Sequence, residues 1–205
     1  MKDEMDILRE VSTTAAAHGS TALSSMLGKT IHIKLPVLGD MQDERHFLQK
    51  IKPSDIVLCV QFKVLSGLES KIILTFSEKS AYQLIGMCYE KKDDLISMGV
   101  FTEVGLSVIK EVSNIVVSAY CGALSVFLNT PVIPSPPILM SGQSGEIMKS
   151  LFEHNKKYVL MIGAEFEERG EKVHGGMEFA ITDSDQQKLQ NACKKMLESL
   201  KGHQP

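Results

Sequence analysis

The sequence lacks most of the devices that build a metal or nucleophile site. Its four cysteines, Cys59, Cys88, Cys121 and Cys193, form no CxxC pair, which excludes a thiolate zinc cluster and favours reduced, mostly buried thiols over a disulfide framework. The six histidines, at positions 18, 32, 46, 154, 174 and 203, show neither HxH nor HxxxH spacing, so paired imidazole ligands are missing too. No intrinsic cofactor or metal is expected. No apolar run approaches the ~18 residues of a membrane span, and the opening MKDEMDILRE has neither the basic nor the apolar region of a secretion signal. Excess charge is also absent: a formal net charge of −3 gives no general attraction to nucleic acid or anionic lipid. These absences predict a cytoplasmic protein with no nucleic-acid partner and no membrane insertion.

Two short strings imitate catalytic motifs and fail. GKT at Gly28–Thr30 lacks the earlier glycine of a phosphate loop, since position 23 is leucine. GQSG at Gly142–Gly145 falls short of the GxSxG nucleophile pattern and reads as a flexible loop.

What is present is a soluble chain of 205 residues, 43% hydrophobic, long enough for one sizeable core or two small ones. The spacing predicts a helix over about 4–28 ended by Gly28, then a strand alternating Ile31, Ile33, Leu35 and Val37 through Pro36. Residues 39–54 read as a polar connection. Strands at 56–64 and 71–77 flank a hairpin turn at Gly67, and Ser77 caps a helix carrying Ala81, Leu84 and Ile85. After the polar string 90–99, Thr102 opens a second long helix. A strand at 158–166, a turn over EERGEKVHGG, a strand at 177–181 and a last helix capped by Thr182 or Ser184 complete the chain.

The second long helix carries Ser107, Glu111 and Asn114 on one narrow stripe at 100° per residue. Val104, Val108, Val112, Ile115, Ala119 and Val126 fall on an adjoining arc expected to face the core. A polar stripe alone is what any wet helix face carries. Here, however, the pattern occurs twice. Glu10–Leu38 overlays Glu111–Leu139 without a gap, with identities at Glu10/Glu111, Ser12/Ser113, Leu23/Leu124, Ser24/Ser125, Leu27/Leu128 and Pro36/Pro137 among others. Several matches are core positions, as a duplication requires, but the glutamate and the distant proline are not explained by packing. The fold class expected is therefore α+β, a pseudo-twofold duplicated single domain over 1–205. Its repeats span about 4–90 and 102–200, with an antiparallel sheet of about six strands and two long helices on one face.

Ser107-x3-Glu111-x2-Asn114, followed after 22 residues by Pro137, resembles the signature of the CheC/CheX/FliY chemotaxis phosphatases, and the duplicated layout and length are most similar to its CheC-like members. The resemblance implies a phosphatase that removes the phosphoryl group from the aspartate of a phosphorylated CheY-type response regulator. It implies that Glu111 docks against the regulator's active-site lysine and that Asn114 reaches the phosphorylation site to orient a water. Any Mg2+ would sit on the regulator rather than on this chain. The first copy departs from the pattern: Asp6-x3-Glu10-x2-Thr13, with Pro36 after 22 residues, has threonine where a carboxamide is needed. That site is expected to be degenerate. Ser107 and Asp6 are read as supporting or docking positions, and Pro137 and Pro36 as shaping the surface. The family also implies an alternative role, a non-catalytic adaptor binding CheD or a flagellar switch component.

Overall fold

The computed structural model describes residues 4–40, 51–88, 101–152, 158–170 and 173–201; the expected polar connections fall largely (41–50) or wholly (90–99) outside them. Five helices and seven strands are found among the described residues. In chain order they are α1 (Glu4–Leu27), β1 (His32–Asp40), β2 (Ile56–Ser66), β3 (Lys71–Ser77), α2 (Glu78–Cys88) and α3 (Glu103–Leu128). There follow β4 (Ile133–Pro134), β5 (Ile138–Gln143), α4 (Ser144–Phe152), β6 (Tyr158–Glu168), β7 (Val173–Thr182) and α5 (Asp183–Lys201). The expected α+β class holds.

All the strand pairings are antiparallel, in the order β1-β6-β7-β3-β2-β4, with β5 also on β2. Each hairpin is thus flanked by a strand of the opposite half: β1 borders β6, β5 borders β2, and β3 joins β7 at the centre. The offset that carries Glu10 onto Glu111 also carries the pair His32–Glu167 onto Ile133–Ser66, and both pairs are made. Local details repeat as well. Gly28 and Asn129 each leave the helix with positive φ, 62° and 49°, the left-handed exit that glycine and asparagine tolerate best. The identical Ser24 and Ser125 hydroxyls accept from Ile31 N at 3.0 Å and Val132 N at 2.8 Å. The repeated residues therefore make repeated bonds.

The strand count exceeds six because the segment after α3 is broken into β4 and β5. Pro136 and Pro137 occupy the break, where a missing N–H interrupts the ladder. In β1 the matching Pro36 falls in a register shift between Lys34 and Val37. VHGG, expected in a turn, belongs to β7. Gly175 there lies against the Phe76 ring, which a Cβ would approach to 2.8 Å, so the glycine admits the ring rather than ending the strand. GQSG is not a flexible loop. It spans the end of β5 and the start of α4, held by Ser144 N on Asp55 O at 2.9 Å and Gly145 N on Pro53 O at 3.0 Å.

One sheet face packs Leu58, Phe62, Leu74, Met177 and Phe179 against α1 and α3, while Val57, Cys59 and Ile73 meet Ile147 and Leu151 of α4 on the other. All four cysteines are free and three are buried; burial pushes the Cys59 thiol up to about 12, so it stays protonated. Contrary to the expectation of no span-like run, α3 is long and apolar enough to cross a membrane by length and composition, with mean hydropathy 1.5 over its most apolar stretch. Its buried side is nevertheless part of the core.

The halves are also latched by side chains. Asp185, wholly buried at the start of α5, accepts from Glu69 N at 2.7 Å and Ser70 Oγ at 2.6 Å, in the turn of the first hairpin. Reciprocally, Ser80 at the start of α2 accepts from His174 N of the second hairpin at 3.1 Å. Removing the carboxylate strands the buried Ser70 hydroxyl, leaves the partly buried Glu69 N–H without this acceptor and breaks the 3.2 Å ion pair with Lys188. Asp185→Ala should lower stability by about 3 kcal/mol, with Asp185→Asn retaining part of it, read from urea unfolding midpoints.

Glu178 on β7 is buried, and its Oε2 has no hydrogen-bond partner. Burial raises its pKa from 4.5 to about 8. Between these values the folded chain holds a proton that the unfolded chain has released, so stability falls as pH rises, and the penalty is complete above about 8. Glu178→Gln should remove this component. The variant's stability relative to wild type should rise steadily from pH 5 to 9 in thermal melts; a difference independent of pH would contradict the assignment.

Candidate functional site

Helix α3 begins where Thr102, in extended backbone, accepts from Gly105 N through its hydroxyl, and it ends at the left-handed Asn129. Over this length the buried side is formed by Ile109, Val112, Val116, Tyr120 and Leu124. At 100° per residue these centre opposite Glu111. The expected core arc is therefore displaced: of its members Val112 is buried, Val108, Ile115 and Ala119 are half-buried, and Val104 and Val126 are exposed. The reason lies in the packing of α3 on α1, α2 and the sheet together, which buries small and polar residues such as Gly105, against Ile85 of α2, Ser113 and Cys121. A hydrophobicity count cannot credit these to a core.

Close approach of the helices is visible at Gly19, where a Cβ would lie 3.1 Å from the Val116 side chain and 3.2 Å from its carbonyl oxygen. Tyr120 fills the space below, edge-on to Phe179 at 5.7 Å between ring centroids, and burial pushes its phenol pKa up. This rigid layer fixes the rotation of α3 and so the direction of its outer face.

The expected site residues lie on that face. Ser107 and Glu111 are exposed and Asn114 is half-buried. Ser107 donates its hydroxyl proton to Glu103 O at 2.9 Å, a bond to its own helix. Among the described residues no hydrogen bond or ion pair occupies the side chains of Glu111 or Asn114. A carboxylate and a carboxamide one turn apart are thus presented outward with their hydrogen-bonding capacity unspent. Pro137 is half-buried in the break between β4 and β5, on the edge of the sheet rather than on the stripe.

The first copy differs in chemistry and in engagement. Asp6 and Glu10 are exposed, yet each already has an interaction partner within the chain. Thr13 is half-buried and donates its hydroxyl proton to Arg9 O at 2.7 Å. Its one donor is turned onto its own helix. Arg9 and Lys110 are exposed cations that immediately precede the two glutamates. They occupy matched positions one residue before the overlay begins. Among the described residues no group of three or more histidine, cysteine, aspartate or glutamate side chains could hold a metal ion.

Residues 104–141 match the model of the CheC-like family, the stretch that contains Ser107, Glu111, Asn114 and Pro137. The fold resembles Thermotoga maritima FliY, with a TM-score of 0.72 at 20% identity over 94% of this chain and 96% of that one. It also resembles the FliM middle domain from H. pylori, at 0.62 and 14% over 94% and 99%. The chain in the CheX-CheY-BeF3-Mg+2 complex from Borrelia burgdorferi matches at 0.53 and 19% over 82% and 96%. At these identities the structural likeness is one of fold. Because both side chains point outward without internal bonds, Glu111→Ala and Asn114→Ala should each change unfolding free energy by less than about 0.5 kcal/mol, checked by denaturant titration.

Proposed function

We propose that this chain, a CheC-like member of the CheC/CheX/FliY family, hydrolyses the aspartyl phosphate of a CheY-type response regulator through the outer face of α3. The observation that carries the reading is the pair Glu111 and Asn114, presented outward on a rigid helix with neither side chain committed to an internal bond. An aspartyl phosphate is an acyl phosphate. Water attacks phosphorus, the bond from phosphorus to the acyl oxygen breaks, and its electron pair leaves on the regulator's carboxylate, giving aspartate and inorganic phosphate. Mg2+ and a lysine on the regulator offset the phosphoryl charge, so this chain has mainly to position the water.

Asn114 suits that task. Its carbonyl oxygen can accept a hydrogen bond from the water and its NH2 can donate one, which orients the nucleophile without covalent chemistry. Glu111, one turn earlier, fixes register through a charge-assisted contact with the regulator's lysine. Thr13 cannot substitute, because it is shorter and its proton is held by Arg9 O. The cytoplasm is where a phosphorylated regulator would be met.

A second reading is supported by the fold shared with the FliM middle domain: a non-catalytic adaptor that binds CheD or a switch component. The two separate in one assay. In the presence of Mg2+, the wild type should accelerate loss of phosphate from the phosphorylated regulator, while Asn114→Ala and Glu111→Ala should lose roughly 100-fold of that acceleration. Thr13→Asn should add activity at the first copy. A wild type that binds the regulator or CheD but leaves the phosphate lifetime unchanged would establish the adaptor instead.

A further inference from the structure

Helix α4 lies on the sheet face away from α1 and α3, and its two ends are held differently. The first turn is tied down by Ser144 N on Asp55 O at 2.9 Å, Gly145 N on Pro53 O at 3.0 Å and Ser144 Oγ on Lys52 O at 2.9 Å. The last turn accepts a longer bond, Lys71 Nζ on Leu151 O at 3.4 Å, and rests on apolar side chains. Leu151 belongs to a small cluster with Val57, Cys59 and Ile73, while Phe152 packs on Tyr158, Met161 and Ala180.

Glu178 sits between those two groups. It is directly opposite Ile73 in the pairing of β3 with β7 and two residues before Ala180 on the same face. Its carboxyl is buried with Oε2 unpartnered, and the buried Thr75 hydroxyl on the adjoining strand has no partner either. The other titratable groups of this face give no relief. Cys59 of β2 is itself a buried thiol, and Lys71 of β3 is turned to Leu151 O and the Tyr158 ring. Glu165 of β6 adds a like charge and is drawn to Lys34 of β1 at 2.9 Å. His32, Glu167 and His174 lie further along their strands, and Glu146 and Lys149 of α4 are exposed. In this setting the carboxyl is held as the neutral acid, with its pKa raised by burial to about 8.

We infer that α4 is a proton-sensitive cover, hinged at Ser144 and Gly145, whose Leu151–Phe152 end lifts to hydrate Glu178 when that carboxyl loses its proton, uncovering Val57, Cys59 and Ile73. The closed cover holds a proton that the lifted one releases. Opening therefore grows as pH rises from 4.5 to about 8 and levels off above. The device is independent of docking on α3, which lies on the other face of the sheet.

The Cys59 thiol beneath the cover is the probe. Its labelling by iodoacetamide is read by peptide mass in the full chain and divided, at each pH, by the rate in the urea-unfolded chain, which corrects for thiolate formation. In wild type this ratio should rise at least tenfold from pH 6 to 8 and then flatten, and it should exceed the ratios of Cys121 and Cys193 at every pH. In Glu178→Gln it should vary less than twofold over the same range. Ile109→Ala, a core change on the opposite face, should speed labelling of Cys121 by lowering global stability while leaving Cys59 within twofold. A wild-type ratio that is flat with pH, or no larger for Cys59 than for Cys121 and Cys193, would overturn the inference. So would a rise that persists in Glu178→Gln, or an equal effect of Ile109→Ala on Cys59 and Cys121. Should Glu178→Gln fail to fold, the wild-type profile and Ile109→Ala decide between the same outcomes.

Discussion

The interaction on which the remaining structure depends is the antiparallel pairing of β3 with β7, which joins the two halves through their central strands. It runs from Lys71 opposite Ala180 to Phe76 opposite Gly175. Because each hairpin then borders a strand from the opposite half, neither half completes its own sheet. Backbone groups that would be orphaned in one half are paired by the other. The side-chain latches at Asp185 and Ser80 follow the same exchange. The two long helices lie on the resulting surface and are packed tightly enough at Gly19 and Val116 that their rotation is fixed. Outward presentation of Glu111 and Asn114 is a consequence of that rotation.

A duplicated scaffold need not keep duplicated chemistry. Packing requires Ser24 and Ser125 to make the same bond to the segment after each helix, and it requires a left-handed exit at Gly28 and Asn129; both are retained. Nothing in packing requires position 13 to match position 114, because both are on the outer side. The copies have diverged where the core is indifferent. Thr13 closes its proton onto Arg9 O while Asn114 keeps its amide unspent, so the same backbone presents two faces of different hydrogen-bonding capacity.

Much of this architecture is legible in the sequence because the duplicated residues carry local physics that propensity rules describe. Gly28 as a helix exit, Gly67 in the hairpin turn, Ser77 bonding Ser80 N, and Thr102 capping α3 are each properties of a few neighbouring residues. The stripe of Glu111 and Asn114 was legible for the same reason. What escaped depends on tertiary context. The core side of α3 is not legible from hydrophobicity because Ser113 and Gly105 are buried against neighbours while Val104 and Val126 face outward. The strand character of VHGG depends on the Phe76 ring in the adjacent strand. Helix α4 begins inside GQSG because Asp55 O and Pro53 O, ninety residues earlier, accept its first N–H groups.

Docking of a phosphorylated receiver on α3 can be followed by residue-resolved backbone and side-chain amide NMR. The wild-type chain would be titrated with a receiver domain loaded with beryllofluoride and Mg2+. The largest shifts should fall within Glu103–Leu128, with the Asn114 side-chain amide among the most affected and α1 little changed. Shifts confined to the free edge of β5 or to α1, with the Asn114 amide unmoved, would contradict it.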